Sequence, residues 1–377
     1  MGNIIDYLKQ YGDKSFAERP LCRADLLLFA QLSYFKFDGL VPVLAKKSDG
    51  VSLRWIDERM DPKLVFADKW YAAHNRELWG LLMVSRRYER LLCNFYRARM
   101  EEENELQFGA ITFLPETGEP VVAFRGTDDS LVGWKEDFNM AFLKPLPAQR
   151  MSAVYVNQVA CRFEGPFFIC GHSKGGNLAV YAAASAEEGV QKRIREVYSF
   201  DGPGFLPGTL PEEGYERIDS RVRRILPEGS LVGMLLESGR ESYEVVKSTG
   251  QGIWQHDPYT WQIGDGELVC APDVEERQKK VNQVLNRWIL TLSEEKRELF
   301  VNTIYELIGE TGVSTLPELV ESWPKNLRLC LRALGRKDAE TRRQFGQILR
   351  ALAEAYGSTQ QREQREEGHE GENRLSH

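Results

Sequence analysis

The sequence predicts an α/β fold with a mostly parallel central sheet, N-terminal helices and a helical C-terminal region. Two observations carry this expectation. Between residues 106 and 272, short apolar runs bounded by turn residues alternate with helix-period stretches, which is the pattern of βαβ units. From about Pro272 to Tyr356 no strand-like run survives, and Val281, Val284, Leu285, Trp288 and Ile289 set a helical period that recurs at Phe300, Ile304, Leu307 and Ile308. The expected organisation is an N-terminal helical segment over 1–105 packing on the core, an α/β core over 106–272, a helical region over 273–356 and a disordered tail over 357–377. Leu375 is the one sizeable apolar residue of that tail, too little to offset the entropy of ordering it.

Taken in order, Ile4, Ile5 and Leu8, then Leu26, Leu27, Leu28, Ala30 and Leu32 after Asp25, predict two short helices. A longer helical stretch is expected from Asp68 to Glu103, with Leu78, Leu81, Leu82, Val84, Leu91, Leu92, Phe95 and Tyr96 on one face. The run Phe108 to Leu114, the turn Pro115-Glu-Thr-Gly118 and the run Pro120 to Phe124 predict a β-hairpin. Helices are expected over Pro147 to Phe163 and Asn177 to Ala186, and strands over Phe167 to Cys170, Val197 to Phe200 and Val222 to Leu226.

Composition narrows the function. With 49 Lys and Arg against 56 Asp and Glu, the net charge is −7, so the basic footprint of a nucleic-acid binder is missing. Hydrophobic residues at 42% and charged residues at 28% fit an ordinary globular protein, and no apolar run approaches the roughly 18 residues of a membrane span. The N-terminus carries no export pattern, and the six scattered cysteines read as buried thiols, so a cytoplasmic location is expected. No metal or organic cofactor is implied.

The run Phe167-Phe-Ile-Cys170 leads into Gly171-His-Ser-Lys-Gly175 and then an apolar helix. Strand, G-x-S-x-G, helix is a nucleophile elbow, in which a serine sits on a strained turn that demands small residues two before and two after it. The helix N-terminus then faces the reaction centre, where the Lys174 backbone N–H can stabilise an oxyanion. A serine nucleophile needs a base. Of the five histidines, His369 and His377 fall in the tail, His172 is inside the elbow and His74 precedes the core, which leaves His256. Three carboxylates can complete the set: Asp201, which ends a strand and opens Asp-Gly-Pro-Gly204; Glu228, after the next strand; and Asp257, beside the histidine. Upstream, Thr127 in Arg125-Gly-Thr127 can offer its backbone N–H and hydroxyl as a second oxyanion donor. Trp134 and Asp137 read as the start of a helix packing on the sheet.

Phe124-Arg-Gly-Thr127, Trp134, Asp137 and Gly171-His-Ser-Lys-Gly-Gly176 together resemble the class 3, fungal-type triacylglycerol lipases over residues 125–260. With Asp6-Tyr-Leu8, Phe200-Asp-Gly-Pro-Gly-Phe205 and Gln255-His-Asp257 added, the chain resembles a bacterial family of lipase-like α/β-hydrolases over most of residues 3–350. The resemblance implies an α/β-hydrolase fold with Ser173 as nucleophile, Thr127 and Lys174 at the oxyanion hole and His256 as base. These lipases carry their acid after the strand that follows the Gly-Pro turn, where this sequence has Ser230, so either the acid has moved to Asp201 or Glu228 or the triad is incomplete. Lipases of vertebrate type place the acid one strand earlier, which favours Asp201. Lys174 stands where these lipases have Leu.

The expected function is a serine hydrolase acting on a small-molecule or lipid-like ester through an acyl-enzyme. A catalytically inactive scaffold working through protein interaction, and a thioesterase or acyltransferase with the same triad, are the alternatives.

Overall fold

Period-two patterning of the central strands sends alternate side chains into two separate cores. Val121 and Ala123 pack with Leu26, Leu27, Ile111, Phe113 and Cys170 on one side, while Val122 and Phe124 pack with Phe108, Tyr155, Ile169, Leu178 and Ala179 on the other. Each fully buried Leu, Ile, Val or Phe contributes roughly 1.5 to 3 kcal/mol relative to an exposed one. The computed structural model describes residues 1–43, 50–67, 71–128, 130–236, 242–313 and 322–355. The expected disordered tail, with His369 and His377, and also Asp68 and Asp129, lie outside the described residues.

The chain divides into two compact units, Met1–Val274 and Glu275–His377. In the first, the strands are β1 (Val51–Ser52), β2 (Leu92–Glu101), β3 (Leu106–Leu114), β4 (Val121–Phe124), β5 (Phe167–His172), β6 (Ile194–Phe200), β7 (Val222–Pro227), β8 (Glu244–Val246), β9 (Ile263–Gly264), β10 (Glu267–Leu268) and β11 (Cys270–Ala271). Nine of them form one sheet in the order β1-β2-β3-β4-β5-β6-β7-β8-β11, and β9 pairs with β10. From β1 to β4 the pairing is antiparallel, from β4 to β8 parallel, and β11 closes the edge antiparallel. The parallel centre, with helix Arg23–Leu32 on one face and helices Pro147–Ala160 and Lys174–Ser185 on the other, is an α/β-hydrolase fold.

The stretch expected as one helix from Asp68 to Glu103 is helical only over Ala72–Val84, and Leu92–Glu101 is strand. A β-bulge explains the misreading. The β2–β3 register shifts between Asn94 and Arg97, with Phe95 at φ 53°. Phe95 therefore packs with Phe108 and Phe163 while its neighbour Tyr96 packs with Phe37 and Phe113 on the opposite face. Adjacent apolar residues that imitate a helix face are two faces of a sheet. The cysteine expectation also needs correcting: Cys93 and Cys170 are buried, but Cys161 and Cys270 are exposed, and all six are free thiols.

A buried ion pair anchors the N-terminal segment. The Arg87 and Asp25 side chains are both fully buried. Asp25 also accepts from Tyr7 Oη at 2.8 Å, Tyr88 Oη at 2.5 Å and the Cys22 N–H at 2.9 Å, so the charge is fully partnered.

The second unit is helical in its described residues, over Glu276–Thr291, Glu294–Gly309, Trp323–Arg336 and 339–355. Its core joins Trp288 edge-on to Phe300 at 5.0 Å and Phe300 stacked on Phe345 at 5.5 Å. Trp288 Nε1 donates to the Ile348 carbonyl at 3.1 Å. Among the described residues no helix is long and apolar enough to cross a membrane.

Candidate active site

Strand β5 runs through Gly171 and His172 into Ser173, which has φ 57° and ψ −131° and caps the helix Lys174–Ser185. The strained conformation is held from both sides: the Ser173 N–H donates to the Phe200 carbonyl at 2.9 Å, and the Ser173 carbonyl accepts from Gly176 N–H at 2.9 Å. A Cβ on Gly171 would lie 2.2 Å from the Gly175 main chain, and one on Gly175 would lie 2.2 Å from the Phe124 carbonyl. Only glycine allows the strand and helix to cross there.

Asp201 follows β6 and holds φ 48°, its N–H donating to the Ile225 carbonyl at 2.8 Å. Its side chain is fully buried, and Oδ2 lies 2.6 Å from His256 Nδ1. Oδ1 accepts from Ser230 Oγ at 2.5 Å and from the Gly233 N–H at 3.1 Å. Glu228 lies on the turn after β7 and, among the described residues, makes no hydrogen bond to His256. Asp257 accepts from the Tyr259 N–H at 2.9 Å and so caps the next turn; burial raises its carboxyl.

His256 ends the short turn Gly252–His256, with its side chain 22% exposed. The loop is tied down around it. The Gln255 carbonyl accepts from Trp261 Nε1 at 2.8 Å, and Gln255 Oε1 accepts from the Gly229 N–H at 2.8 Å. The chain's first residues brace the same loop, since Asn3 Nδ2 donates to the Tyr259 carbonyl at 2.7 Å and Gly2 bridges Ile263. His74 packs its ring against Tyr259 at 4.7 Å.

On the other arm, Thr127 Oγ donates to Asp137 Oδ2 at 2.5 Å. Asp137 belongs to helix Leu131–Asn139, whose start is capped by Ser130 accepting from the Gly133 N–H at 3.2 Å. Asp137 Oδ1 is shut off from solvent, and burial pushes the carboxyl up to about 6. Arg125 is 4% exposed. Burial would raise the Asp128 carboxyl, but Arg125 and Ser130 outweigh it and hold that group below the usual range.

The Lys174 side chain, 1% exposed, runs into the interior rather than to solvent. Its Nζ donates to Glu136 Oε2 at 2.8 Å, to the Gln107 carbonyl at 2.9 Å and to Gln107 Oε1 at 2.5 Å. Glu136, fully buried, also accepts from the Gln107 N–H at 3.0 Å and the Ala148 N–H at 3.1 Å. One ammonium thus joins the elbow to β3 and to the helix that carries Asp137. Sequence reading passed over Glu136 and Gln107. Their signal was available: a lysine opening an otherwise small and apolar buried helix demands a carboxylate partner. Tyr34 and the role of His172 were also missed, and only the fold brings these two together, at 2.9 Å.

Thr127, Ser173 with Lys174, and Asp201 follow the carboxyl ends of the neighbouring strands β4, β5 and β6, where α/β sheets gather reactive groups, and His256 meets Asp201 there from the loop beyond β8. Among the described residues no group of three or more His, Cys, Asp or Glu side chains could hold a metal ion.

Among solved structures, that of M37 lipase is similar at 15% identity and a TM-score of 0.35, over 57% of this chain and 69% of that one. Comparison with curated proteins finds no match. Residues 82–306, more than half of the chain and including every residue of the convergent set, match the model of the Mbeg1-like family. The chain belongs to the Mbeg1-like family, a lipase-like group with the α/β-hydrolase fold.

Proposed function

We propose that the protein is a serine hydrolase that cleaves an acyl ester through an acyl-enzyme. The observation that carries this reading is the 2.6 Å contact between His256 Nδ1 and the buried Asp201 carboxylate at the end of β6, with Ser173 held at positive φ on a strand-to-helix turn at the end of the neighbouring strand β5. Asp201 fixes the imidazole with Nδ1 protonated, which leaves Nε2 free to act as base. Ser173 Oγ attacks the ester carbonyl carbon and its proton passes to His256 Nε2. The negative charge that develops on the carbonyl oxygen faces the Lys174 and Thr127 backbone N–H groups at the start of the helix and the end of β4. His256 returns the proton to the departing alcohol; it then takes one from the water that attacks the acyl-serine, and gives it to Ser173 Oγ as the acyl–oxygen bond breaks and the acid leaves.

The ester is lipid-like on this reading because large apolar side chains border the base: Ile253 and Trp254, 58% and 52% exposed, precede His256 on its own turn. The six free cysteines support a reducing, cytoplasmic setting.

Labelling with a fluorophosphonate probe, mapped by mass spectrometry, tests the assignment. Modification confined to Ser173 and absent from Ser173→Ala and His256→Ala is the expected result. A folded wild-type protein that takes up no probe would remove the assignment and favour a scaffold that works by protein interaction.

A further inference from the structure

His172 has no part in the chemistry above, yet it makes two directed hydrogen bonds. Its ring is fully buried, with Nε2 2.8 Å from the His256 main-chain carbonyl and Nδ1 2.9 Å from Tyr34 Oη. The His172 and His256 rings lie 4.5 Å apart at 35°. Burial, then the neighbouring His256, holds the His172 imidazole well below its ordinary range, so it is neutral and carries one N–H. A carbonyl can only accept. That proton therefore sits on Nε2, Nδ1 is the acceptor, and Tyr34 must donate.

We propose that Tyr34 and His172 are positioning residues for the general base: Tyr34 Oη donates to His172 Nδ1, and His172 Nε2–H donates to the His256 carbonyl, fixing the peptide of the base while Asp201 fixes its ring. This inference rests on the serine-hydrolase reading. His256 closes the single short turn Gly252–His256, in which Ile253 and Trp254 are exposed; Gln255 and the chain's first residues brace the flanks of this loop, and His172 holds the carbonyl of the base itself. Tyr34, 3% exposed, comes from the segment just after helix Arg23–Leu32, so the N-terminal part of the chain reaches beneath the reacting groups.

Gly126 carries a second and independent trace of the same device. A Cβ at Gly126 would lie 2.1 Å from Tyr34 Oη and 2.6 Å from the His172 carbonyl. The glycine of Arg125-Gly-Thr127 is thus the space into which the tyrosine hydroxyl fits, one residue before the oxyanion threonine. Tyr34 touches the support of the base on one side and the oxyanion loop on the other.

Two measurements test the relay. The first needs no turnover: in protein labelled with ¹⁵N-histidine, both wild type and Ser173→Ala, the ring shifts of His172 should show the Nε2–H tautomer alone, with Nδ1 shifted in Tyr34→Phe. A protonated ring, or the Nδ1–H tautomer, overturns the proposal. The second compares kcat and KM for a short ester and the rate of fluorophosphonate uptake. His172→Leu should lose about a hundredfold in both rates with KM within about threefold, the size expected for a displaced base. His172→Gln, whose amide nitrogen reaches the Nε2 position, should recover most of the loss. Tyr34→Phe, which deletes one hydroxyl and keeps the ring, gives the answer if His172→Leu does not fold, with a fall of about tenfold expected. Wild-type rates in folded His172→Leu or Tyr34→Phe would sink this inference alone, whereas a wild type unreactive at Ser173 would sink the hydrolase reading beneath it.

Discussion

Ser230 Oγ donates to Asp201 Oδ1 at 2.5 Å, and the other oxygen of that carboxylate meets His256. In the lipases that the sequence resembles, an acid is expected at the position of Ser230. Here the serine and the Gly233 N–H occupy Oδ1 together and turn Oδ2 toward the imidazole. On the proposed reading the carboxylate comes from one strand earlier, and the residue at the position where the resemblance implies an acid holds it in place.

Replacing Asp201 by Asn should lower kcat by roughly 10⁴-fold, because an amide stabilises neither the required tautomer nor the imidazolium. Glu228→Gln should stay within about threefold of wild type, since Glu228 does not reach His256. Steady-state rates of the two purified variants decide this, and the reverse ranking would move the acid to Glu228.

Ser230→Ala should cost about 1.5 to 3 kcal/mol of stability, the range for a hydrogen bond to a charged group. It should also reduce kcat while Ser173 still labels. Urea unfolding beside the labelling rate reads both effects; a variant unchanged in each would show that Gly233 alone suffices to orient Asp201.

Lys174→Leu introduces the residue those lipases carry, yet it should be costly. It strips Glu136 of its cation in a dry interior, a loss of about 3 to 5 kcal/mol. Adding Glu136→Leu should return part of that loss, because the remaining buried charge is gone. A single variant as stable as wild type in urea would show that the pair has little influence on the fold.

Asp137 gives a pH signature. Its carboxyl is raised from 3.8 to about 6 by burial, so the folded state binds the proton more tightly than the unfolded chain. The resulting stabilisation is complete below the unfolded value and is lost as pH rises toward 6. Unfolding free energy of wild type minus that of Asp137→Asn should therefore fall between about pH 4 and 6 and level off above. A difference that is flat, or that rises, contradicts the raised value.

Asp25→Asn should lower stability by about 3 to 5 kcal/mol, since it leaves the Arg87 guanidinium buried without a counter-charge. Thermal and urea unfolding report it, and a loss below about 1 kcal/mol would show that Tyr7, Tyr88 and the main chain compensate.

The elbow was legible because its constraints are local. A strand, two glycines flanking Ser173 and a helix lie within some twenty consecutive residues, and steric exclusion at Gly171 and Gly175 acts over contacts that the spacing itself specifies. The alternation of apolar runs with helix-period stretches was legible for the same reason, and so were the hairpin and the parallel strands from β4 to β7. Strand β2 was not, because its identity depends on pairing with β3 and on a bulge at Phe95 that buries two neighbours on opposite faces.

For the site, sequence reading alone reduced the bases to His256 and the acids to three. Which of those carboxylates meets His256 belonged to tertiary structure: Asp201 and His256 stand 55 residues apart, and no periodicity reports which carboxylate a distant loop will meet. The same holds for Tyr34 beneath His172, 138 residues away, and for Lys174 reaching Glu136 and Gln107. Patterning along the chain determines which elements form, because hydrogen bonding and side-chain direction repeat with short periods. Which buried polar groups find one another is decided only when the sheet closes and each donor must be matched, since an unmatched one costs the fold its desolvation energy.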